Sequence, residues 1–260
     1  MDIAEQNISG NERHPWELAR LHILIQLVNR CLPFSNEIKM IADIGCGDCF
    51  FASELLKVRS DVHVIAIDTA YSSEEIGRKK KEIDHPGFDL FNDSYAAAKF
   101  LAGEEVHLFL FLDVVEHIED DATFLKDVVN LFKVSKDTLV LVSVPAFQSL
   151  FTNHDVFLRH FRRYNRPSIK KVVQRAGLMP IESGYYFLSL LPLRLIQKIA
   201  ERLGYQRQQK GIGAWKRSSF VTKLLKNYLL FDYKFSKLMG RAGIKLPGLS
   251  VYCICKKLAS

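Results

Sequence analysis

Apolar and polar positions follow two alternating patterns along the chain. Short apolar runs, about four to eight residues long, predict strands, and apolar residues spaced three and four apart predict helices. Because the two kinds of segment alternate, the pattern indicates an α/β fold with a mostly parallel sheet. Strands are predicted at residues 38–43, 62–68, 88–92, 106–113, 138–144, 178–186 and 249–256, and helices at 14–30, 50–58, 72–82, 120–132 and 167–176.

Residues 188–247 separate the last two predicted strands by far more chain than a hairpin connection needs. Two stretches within this region, 187–203 and 215–239, mix apolar and basic residues at helical spacing. The sequence therefore predicts two units. Residues 1–187 plus 248–260 form the sheet domain, and residues 188–247 form an inserted basic, amphipathic helical cap.

The net charge of +7 is distributed unevenly. Residues 1–197 carry a balance of −5, whereas residues 198–260 carry +12, with Glu201 and Asp232 as their only acids. An aromatic face beside a lysine-rich face can lie in an anionic membrane interface, so residues 188–247 are predicted to meet such a surface. The alternative is a lid that packs its apolar face on the sheet. The sequence has no RNA-binding pattern, which argues against a nucleic-acid partner.

Several features of the sequence bear on the cellular location of the protein. Residues 1–15 are polar and do not resemble a signal peptide, and no apolar run reaches the roughly 18 residues of a spanning helix. Five cysteines scattered in apolar runs indicate reduced thiols. The sequence predicts a cytoplasmic protein, with peripheral attachment at the inner face of a membrane left open. It does not decide the oligomeric state.

A tight turn follows the first predicted strand, in the sequence Ile41-Ala-Asp-Ile-Gly-Cys-Gly-Asp-Cys49. Glycine lets a ligand approach closely, and a helix that starts after such a turn offers free N–H groups. Asp68 ends the second strand, where a carboxylate can accept both hydroxyls of a ribose. Together these residues predict a nucleoside-binding crevice at the carboxyl ends of parallel strands.

Three motifs in this order resemble class I S-adenosylmethionine-dependent methyltransferases of the type 11/12 kind: D-x-G-x-G, then Asp68, then Leu112-Asp-Val-Val-Glu-His-Ile-Glu-Asp-Asp121. A dinucleotide-binding protein would instead carry G-x-G-x-x-G, but Cys49 stands at the third position. The resemblance implies a doubly wound, seven-stranded, Rossmann-like sheet whose last strand is antiparallel and pairs with the sixth. It also implies S-adenosylmethionine as the cofactor. A glycine turn without any cofactor is the alternative.

The resemblance also implies which residues hold the cofactor. They surround its methionyl end, its ribose, its adenine amine and its carboxylate. Asp93 has an alternative role as a turn cap, Asp113 as a helix cap with Glu116 in a capping box, and Arg20 as part of a plain amphipathic helix. The implied cofactor-binding residues are Asp43, Gly45, Cys46, Gly47, Asp68, Thr69, Asp93, Ser94, Asp113 and Arg20.

Cysteines offer a metal-binding alternative. Cys46 and Cys49 form a C-x-x-C, and Cys253 and Cys255 add two thiols, so the four could bind zinc. However, Cys253 and Cys255 alternate inside an apolar strand, which indicates packing. No metal is therefore predicted.

Methyl transfer to oxygen or nitrogen requires an aligned acceptor and often a general base, for which histidine is the usual choice. His154, oriented by Asp155, is the predicted base, and His117 is second. Residues 144–164 resemble a signature of enzymes tied to glycan, glycolipid or quinone pathways. The alternative is that Asp155, His160 and the arginines only lock this loop. The resemblance assigns four residues to the acceptor: Trp16, His160, Arg163 and Tyr164.

The sequence therefore predicts O-methylation of a lipid-linked, glycan-like or quinone-like acceptor. Two alternatives stay open: a small-molecule N-methyltransferase, and a non-catalytic membrane- or partner-binding protein on the same scaffold. No Asn/Asp-Pro-Pro-Tyr-like element follows the fourth strand, which argues against methylation of nucleobase amines.

Overall fold

A computed structural model describes residues 13–204, 215 and 218–257. Seven strands form one sheet in the order β3-β2-β1-β4-β5-β7-β6, in which β7 is antiparallel to both of its neighbours. This arrangement confirms the predicted fold. The strands are β1 Lys39–Ile44, β2 Val62–Ile67, β3 Phe88–Phe91, β4 Leu108–Leu112, β5 Leu139–Pro145, β6 Leu178–Tyr186 and β7 Ser250–Lys257.

Helices cover the sheet. The described residues include α1 Pro15–Cys31, α2 Phe50–Leu56, α3 Ser73–Ile83, α4 Ser94–Phe100, α5 Asp121–Leu131, α6 Asn153–Phe157, α7 Arg166–Arg175, α8 Leu191–Arg202 and α9 Ser219–Arg241. Three short 3-10 turns, at Val115–His117, Gln148–Leu150 and Leu188–Leu190, join longer elements.

Two hydrophobic clusters lie on the two faces of the sheet. One cluster contains α1, α2 and α9 side chains such as Leu24, Leu55 and Tyr233. The other contains α5 and α7 side chains such as Leu125 and Ile169. Strand β4 is buried along its whole length because both clusters cover it, as its uninterrupted apolar run predicts.

Strand β7 lies between β5 and β6. Its residues pair with β5 from Leu139 to Pro145 and with β6 from Leu178 to Tyr186. Pairing with the sixth strand was expected, and the structure adds the pairing with the fifth. The last strand is therefore interior to the sheet.

Two short helices of the described sheet domain, α4 and α6, were not predicted. Helix α6 lies in the stretch 146–166 that was expected to be a loop, and α4 covers Ser94–Phe100, where the sequence has no strong apolar period. Asp93 supplies the start of α4, because Asp93 Oδ2 accepts a hydrogen bond from the Ala96 amide at 2.8 Å.

Helices α8 and α9 occupy the long connection before β7. Helix α9 packs on α1, and its Asp232 carboxylate accepts hydrogen bonds from the amide and the hydroxyl of Ser189. The division into a sheet domain and a cap at 188–247 stays a prediction. Residues 1–12, 205–214, 216, 217 and 258–260 lie outside the described part of the chain, and so do the polar start and the basic residues Lys216 and Arg217.

In the described part of the chain, no helix combines the length and the apolar character needed to span a bilayer.

Candidate active site

Parallel pairing brings the predicted cofactor residues to one edge of the sheet. Strand β1 lies between β2 and β4, with Ile44 opposite Ile67 on one side and Phe111 on the other. The residues that follow these strands therefore meet at the same edge, as they do in other parallel sheets. Asp68 and Asp113 lie there, beside the glycine turn.

The glycine turn has the backbone that its sequence predicts. Gly45 and Gly47 have φ of +68° and +56°, in the left-handed region that favours glycine. A Cβ on Gly45 would lie 2.5 Å from Val114 Cγ2, so a side chain there would be strained and crowded. The Gly47 amide donates to Asp68 Oδ2 at 2.9 Å, which fixes the turn against the end of β2.

Asp43 lies at the base of this turn with a carboxyl group that is 2% exposed. Its Oδ2 has no hydrogen-bond partner among the described residues. Burial, together with the nearby charge of Asp68, raises the pKa of Asp43 to about 7. A buried carboxyl group with an unused acceptor suits an ammonium group, which is what the resemblance assigns to Asp43.

Arg20 and Asp113 form an ion pair across the mouth of the sheet. Arg20 Nη2 lies 2.8 Å from Asp113 Oδ2. Burial alone would lower the pKa of Arg20, but the charge of Asp113, with a contribution from Tyr186, outweighs it and raises that pKa. Arg20 Nη2 is already engaged by Asp113, whereas Arg20 Nε has no hydrogen-bond acceptor among the described residues. A guanidinium group with an unused N–H suits a ligand carboxylate, and this role of Arg20 stays a prediction.

Asp113 does not cap a helix. The 3-10 turn after β4 begins at Val115, and its cap residue is Val114, which makes no side-chain cap. Asp113 instead has a positive φ of 58° and pairs with Arg20. The alternative of a capping box formed with Glu116 is wrong, because the chain bends sharply at Asp113 before any helix starts.

Predicted ribose and adenine residues lie at the outer part of this edge. Asp68 is partly exposed, and its Oδ1 accepts a hydrogen bond from the Ala70 amide at 3.0 Å. Thr69 and Asp93 are exposed, and Ser94 is half-buried. Asp93 acts as the helix cap named as its alternative, a role that is compatible with a ligand contact.

A pocket opens between α1, the end of β4 and the loop after β5. Its wall combines apolar side chains with ionisable ones. The predicted residues Trp16, Arg20, Asp113, His117, His154, His160 and Arg163 line it, together with Glu116, Arg194, Leu24, Phe50 and Leu158. The turn residues Asp43, Gly45, Cys46 and Gly47 are not part of this wall, because they lie at the neighbouring end of β1.

Asp155 holds the loop after β5 together. Its histidine partner is His160, whereas the sequence predicted His154. Its fully buried carboxylate accepts hydrogen bonds from His160 Nδ1 at 2.9 Å, Arg163 Nε at 2.7 Å and Arg194 Nη2 at 2.8 Å. Burial raises the pKa of Asp155, but the hydrogen bond from His160 and the charge of Arg163 outweigh it and hold that pKa well below its usual range.

The predicted pairing of Asp155 with His154 is therefore wrong, because adjacent residues of helix α6 point in different directions. His154 lines the pocket and stacks on Phe157, with ring centroids 6.5 Å apart. Asp155 points inward and orients His160. The loop-locking alternative describes Asp155 and Arg163 correctly, while His160 still lines the pocket.

Tyr164 does not reach the pocket. Its side chain is 2% exposed, and its hydroxyl donates to Asp121 Oδ2 at 2.9 Å. Burial and the charge of Asp121 raise its pKa. The assignment of Tyr164 to acceptor binding is wrong, because the register of the loop after β5 turns this ring into the core beneath it.

Glu116 and Arg194 are pocket residues that sequence reasoning did not assign to the site. The Glu116 side chain is fully buried, and neither carboxyl oxygen has a hydrogen-bond partner among the described residues. Burial, with the charge of Asp113, raises its pKa well above the usual value. The proximity of Glu116 to His117 was visible in the sequence. Arg194 gave no signal, because helix α8 approaches the site only in the tertiary structure.

Glu116, His117 and His160 come together at the inner end of the pocket. One ligand atom from each side chain lies within 4.8 Å of the others. The rings of His117 and His160 meet edge to face, with centroids 4.6 Å apart. This group joins the turn after β4 to the loop after β5.

The cysteines do not form a metal site in the described chain. Cys46 and Cys49, with Sγ atoms 3.6 Å apart, belong to the cluster on one face of the sheet, and Cys253 and Cys255 belong to the cluster on the other. The sheet separates the two pairs, so the zinc alternative raised for them fails.

Comparison with known proteins places residues 16–183 within a family model described as a methyltransferase domain. That range includes the glycine turn, the residues after β2 and β4, and the loop after β5. No curated protein is significantly similar to the chain.

Many solved structures share the fold. One is the N-methyltransferase NodS from Bradyrhizobium japonicum with S-adenosyl-l-homocysteine, with 12% identity over 99% of this chain and 95% of that one and a TM-score of 0.53. Another is phosphoethanolamine N-methyltransferase 2 from Haemonchus contortus with S-adenosyl-L-methionine, with 15% identity, 92% and 53% coverage and a TM-score of 0.53. A putative methyltransferase from Bacillus halodurans has 13% identity, 94% and 100% coverage and a TM-score of 0.52.

Proposed function

The chain belongs to the methyltransferase-domain family and uses S-adenosylmethionine, and from this premise we propose that it methylates a hydroxyl group of a lipid-linked, glycan-like or quinone-like acceptor. The observation that carries the proposal is the pocket beside Arg20 and Asp113, whose wall holds three histidines. A hydroxyl group must lose its proton during transfer, whereas an amine can react in its neutral form. The histidines supply a base where a hydroxyl would need one.

The residues at the sheet edge fit this cofactor. Asp43 would offer a buried, unused acceptor to its ammonium group, and Arg20 would offer its Nε–H group to its carboxylate. Gly45 leaves the turn without a side chain where the ligand must come close. When bound, S-adenosylmethionine supplies a methyl group on a positive sulfur, and the S–C bond breaks with its electrons left on sulfur as the acceptor oxygen forms its bond to carbon.

We assign to His154 the role of the base that accepts the proton of the acceptor hydroxyl. It lies on helix α6 at the pocket wall, beside the exposed rim formed by Val156 and Phe157. His117 and His160 lie against each other and close to Glu116. The base therefore has access both to an acceptor in the pocket and to solvent that can carry the proton away.

The lipid-linked class is supported by the apolar character of the pocket and of the surface near it. Leu21, Leu24 and Leu158 line the wall. Helix α8, whose Arg194 reaches the site, leaves Leu193 and Ile196 62% exposed. An acceptor with an apolar anchor could keep that anchor along α8 while its polar head enters the pocket.

The test is a methyl-transfer assay with labelled S-adenosylmethionine, offered lipid-linked glycans, dihydroxybenzene-type quinols and matched amines. We expect the label on oxygen, and a kcat for His154→Gln about 10²- to 10⁴-fold below wild type, the usual contribution of a general base. Cofactor affinity measured by calorimetry should change little, because His154 lines the pocket wall and is not one of the residues assigned to the cofactor.

The control is His22→Gln, an exposed histidine of α1 whose Nδ1 bonds only to the Leu18 carbonyl. This variant should keep wild-type activity. Label found on nitrogen would favour the N-methyltransferase alternative. Full turnover by His154→Gln would remove His154 from the mechanism, and no cofactor binding at millimolar concentration would favour a non-catalytic protein.

A further inference from the structure

We propose that Glu116, His117 and His160 bind a divalent transition-metal ion of the Zn²⁺ class at the inner end of the pocket. Two imidazoles and one carboxylate are a ligand set that such ions use when they keep a position open for substrate. No metal was predicted from the sequence, because only the cysteines were considered as ligands. Glu116 and His117 are adjacent, but α5, β5 and the loop after β5 separate them from His160.

The geometry of the three ligands supports the site. Their ligand atoms lie within 4.8 Å of one another, whereas ligands around a tetrahedral zinc ion lie about 3–3.5 Å apart. Binding of an ion would therefore require side-chain rotations that shorten these distances. The ligands approach from two segments that are fixed together, since the Phe161 amide donates to the Glu116 carbonyl at 2.8 Å.

The carboxyl group of Glu116 is an independent sign of a missing ligand. It is fully buried in the pocket wall, and both of its oxygens have no hydrogen-bond partner within the described chain. A buried carboxyl group without hydrogen-bond partners is costly, because it has lost its water and gained nothing in exchange. A cation at this place would satisfy both oxygens.

Asp155 supports the site by orienting one of its ligands, His160. It accepts a hydrogen bond from His160 Nδ1 at 2.9 Å, which fixes the ring and leaves Nε2 as the free lone pair. Histidines that bind metals usually make such a bond to a carboxylate, which raises their basicity. Arg163 and Arg194 hold Asp155 in place. The buried carboxylate of Asp155 therefore orients a histidine that lines the pocket, in addition to holding the loop together.

The role of the ion in catalysis rests on the proposed function. An acceptor hydroxyl bound at the open position would lose its proton more readily, because the cation stabilises the oxygen anion. That proton passes to His154, and the oxygen keeps the electron pair that forms the new bond to carbon. No redox change occurs, so no further reactant is needed. An acceptor with two neighbouring oxygens would bind such an ion best.

The experiment measures zinc uptake by full-length, tag-free protein that has first been stripped with a chelator. Equilibrium dialysis against Zn²⁺, without cofactor or acceptor, should give one bound ion per chain for wild type. Glu116→Gln keeps the size of the side chain and removes its charge, and its zinc affinity should fall by more than about 100-fold. His117→Gln should behave in the same way.

A matched control is His63→Gln. His63 also pairs with a carboxylate, since its Nε2 lies 2.9 Å from Asp89 Oδ2, but it lies on β2 away from the pocket. It should bind zinc as wild type does. Binding of S-adenosylmethionine by every variant shows that each is folded, and Zn²⁺ should raise the Tm of wild type and of His63→Gln only.

Equal zinc uptake by wild type and Glu116→Gln, including none by either, would overturn the metal site. The outcomes separate this proposal from the previous one. Zinc binding by a protein that methylates no hydroxyl would contradict the proposed function and leave the site in place. Hydroxyl methylation that continues unchanged after chelation, with no zinc uptake, would contradict the metal site alone.

Discussion

At the scale of single residues, three carboxyl groups of the site owe their different properties to their partners. Asp155 accepts several hydrogen bonds, so its pKa stays well below the usual range. Asp43 and Glu116 are buried, and among the described residues Asp43 Oδ2 and both carboxyl oxygens of Glu116 have no hydrogen-bond partner. Burial therefore raises the pKa of both groups. The sequence identified the first two as site residues. It could not show which would be paired, because the partners come from distant segments.

The raised pKa of Asp43 predicts that cofactor affinity depends on pH. Below about pH 7 the free protein holds a proton on Asp43, and the cofactor ammonium must displace it. The dissociation constant should therefore rise as pH falls from 7 to 5, by up to about tenfold per pH unit. Calorimetric titrations with S-adenosylmethionine at several pH values measure this.

Asp43→Asn is the control for that titration. It should bind the cofactor more weakly at pH 7.5, and its dissociation constant should change less between pH 5 and 7 than that of wild type, because Asp43 no longer titrates. The pocket histidines remain in both proteins, so their contribution cancels. A wild-type affinity that does not change over this range would show that Asp43 is not the ammonium ligand.

At the scale of elements, helix α9 presents one apolar stripe that the described chain does not cover. Phe220, Leu224, Phe231 and Leu238 recur at helical spacing and are 58–75% exposed. The opposite side of the same helix packs on α1 through Leu229 and Tyr233. The sequence left two alternatives open for this segment, a membrane surface and a lid, and α9 has one exposed apolar side and one packed side.

We propose that this stripe lies on an anionic membrane surface, because lysines flank it and the region from 198 onward carries a balance of +12. Wild type should float with phosphatidylglycerol vesicles in low salt, less at high salt, and little with phosphatidylcholine. The double variant Phe220→Glu plus Phe231→Glu should remain in the bottom fraction of the gradient, because two carboxylates would have to enter the membrane interface.

Tyr95→Glu is the matched control for flotation, since Tyr95 is an aromatic side chain of α4 that is 72% exposed. It should float as wild type does, and all variants should bind S-adenosylmethionine. Equal flotation of the double variant, or of wild type with neutral vesicles, would contradict the membrane assignment. The stripe would then be a site for an apolar acceptor or for another protein.

At the scale of the whole molecule, the topology makes the end of the chain essential to the sheet. Strand β7 separates β5 from β6 and supplies hydrogen bonds to both. The loop after β5 and the start of α7 rest on this part of the sheet, and they hold His154, His160 and Arg163. The site therefore depends on a strand that follows it by about 90 residues, a non-local contact of the kind that costs loop-closure entropy.

A chain that ends at residue 248 should consequently fail to fold. Without β7, the edges of β5 and β6 lose their ladders, and buried side chains such as Val251 and Cys253 leave both the hydrogen-bond network and the core. We expect no cooperative thermal unfolding and no cofactor binding, as measured by circular dichroism and calorimetry.

Lys256→Ala tests the same strand without breaking it. Lys256 makes only a surface ion pair with Asp137 at 3.2 Å, and exposed pairs contribute about 0–1 kcal/mol. The free energy of unfolding of this variant should lie within about 0.5 kcal/mol of the wild-type value. Cooperative unfolding and cofactor binding by the shortened chain would show that β7 is dispensable.

The sequence by itself determined the alternation of strands and helices, the glycine turn and the carboxylates that follow β1, β2 and β4. These features are local: a run of apolar residues, a positive φ and a strand end are all fixed by neighbouring residues. They were enough for the fold and for the cofactor.

Only the tertiary structure decided which side chains meet in the pocket. The partner of Asp155, the burial of Tyr164, the approach of Arg194 and the meeting of Glu116 with His160 all depend on how separate segments pack. His154 and Asp155 are neighbours in α6 but have different surroundings, and so do Arg163, which lines the pocket, and Tyr164, which is buried in the core. Packing between distant segments sets these contacts, and no local pattern in the chain encodes them.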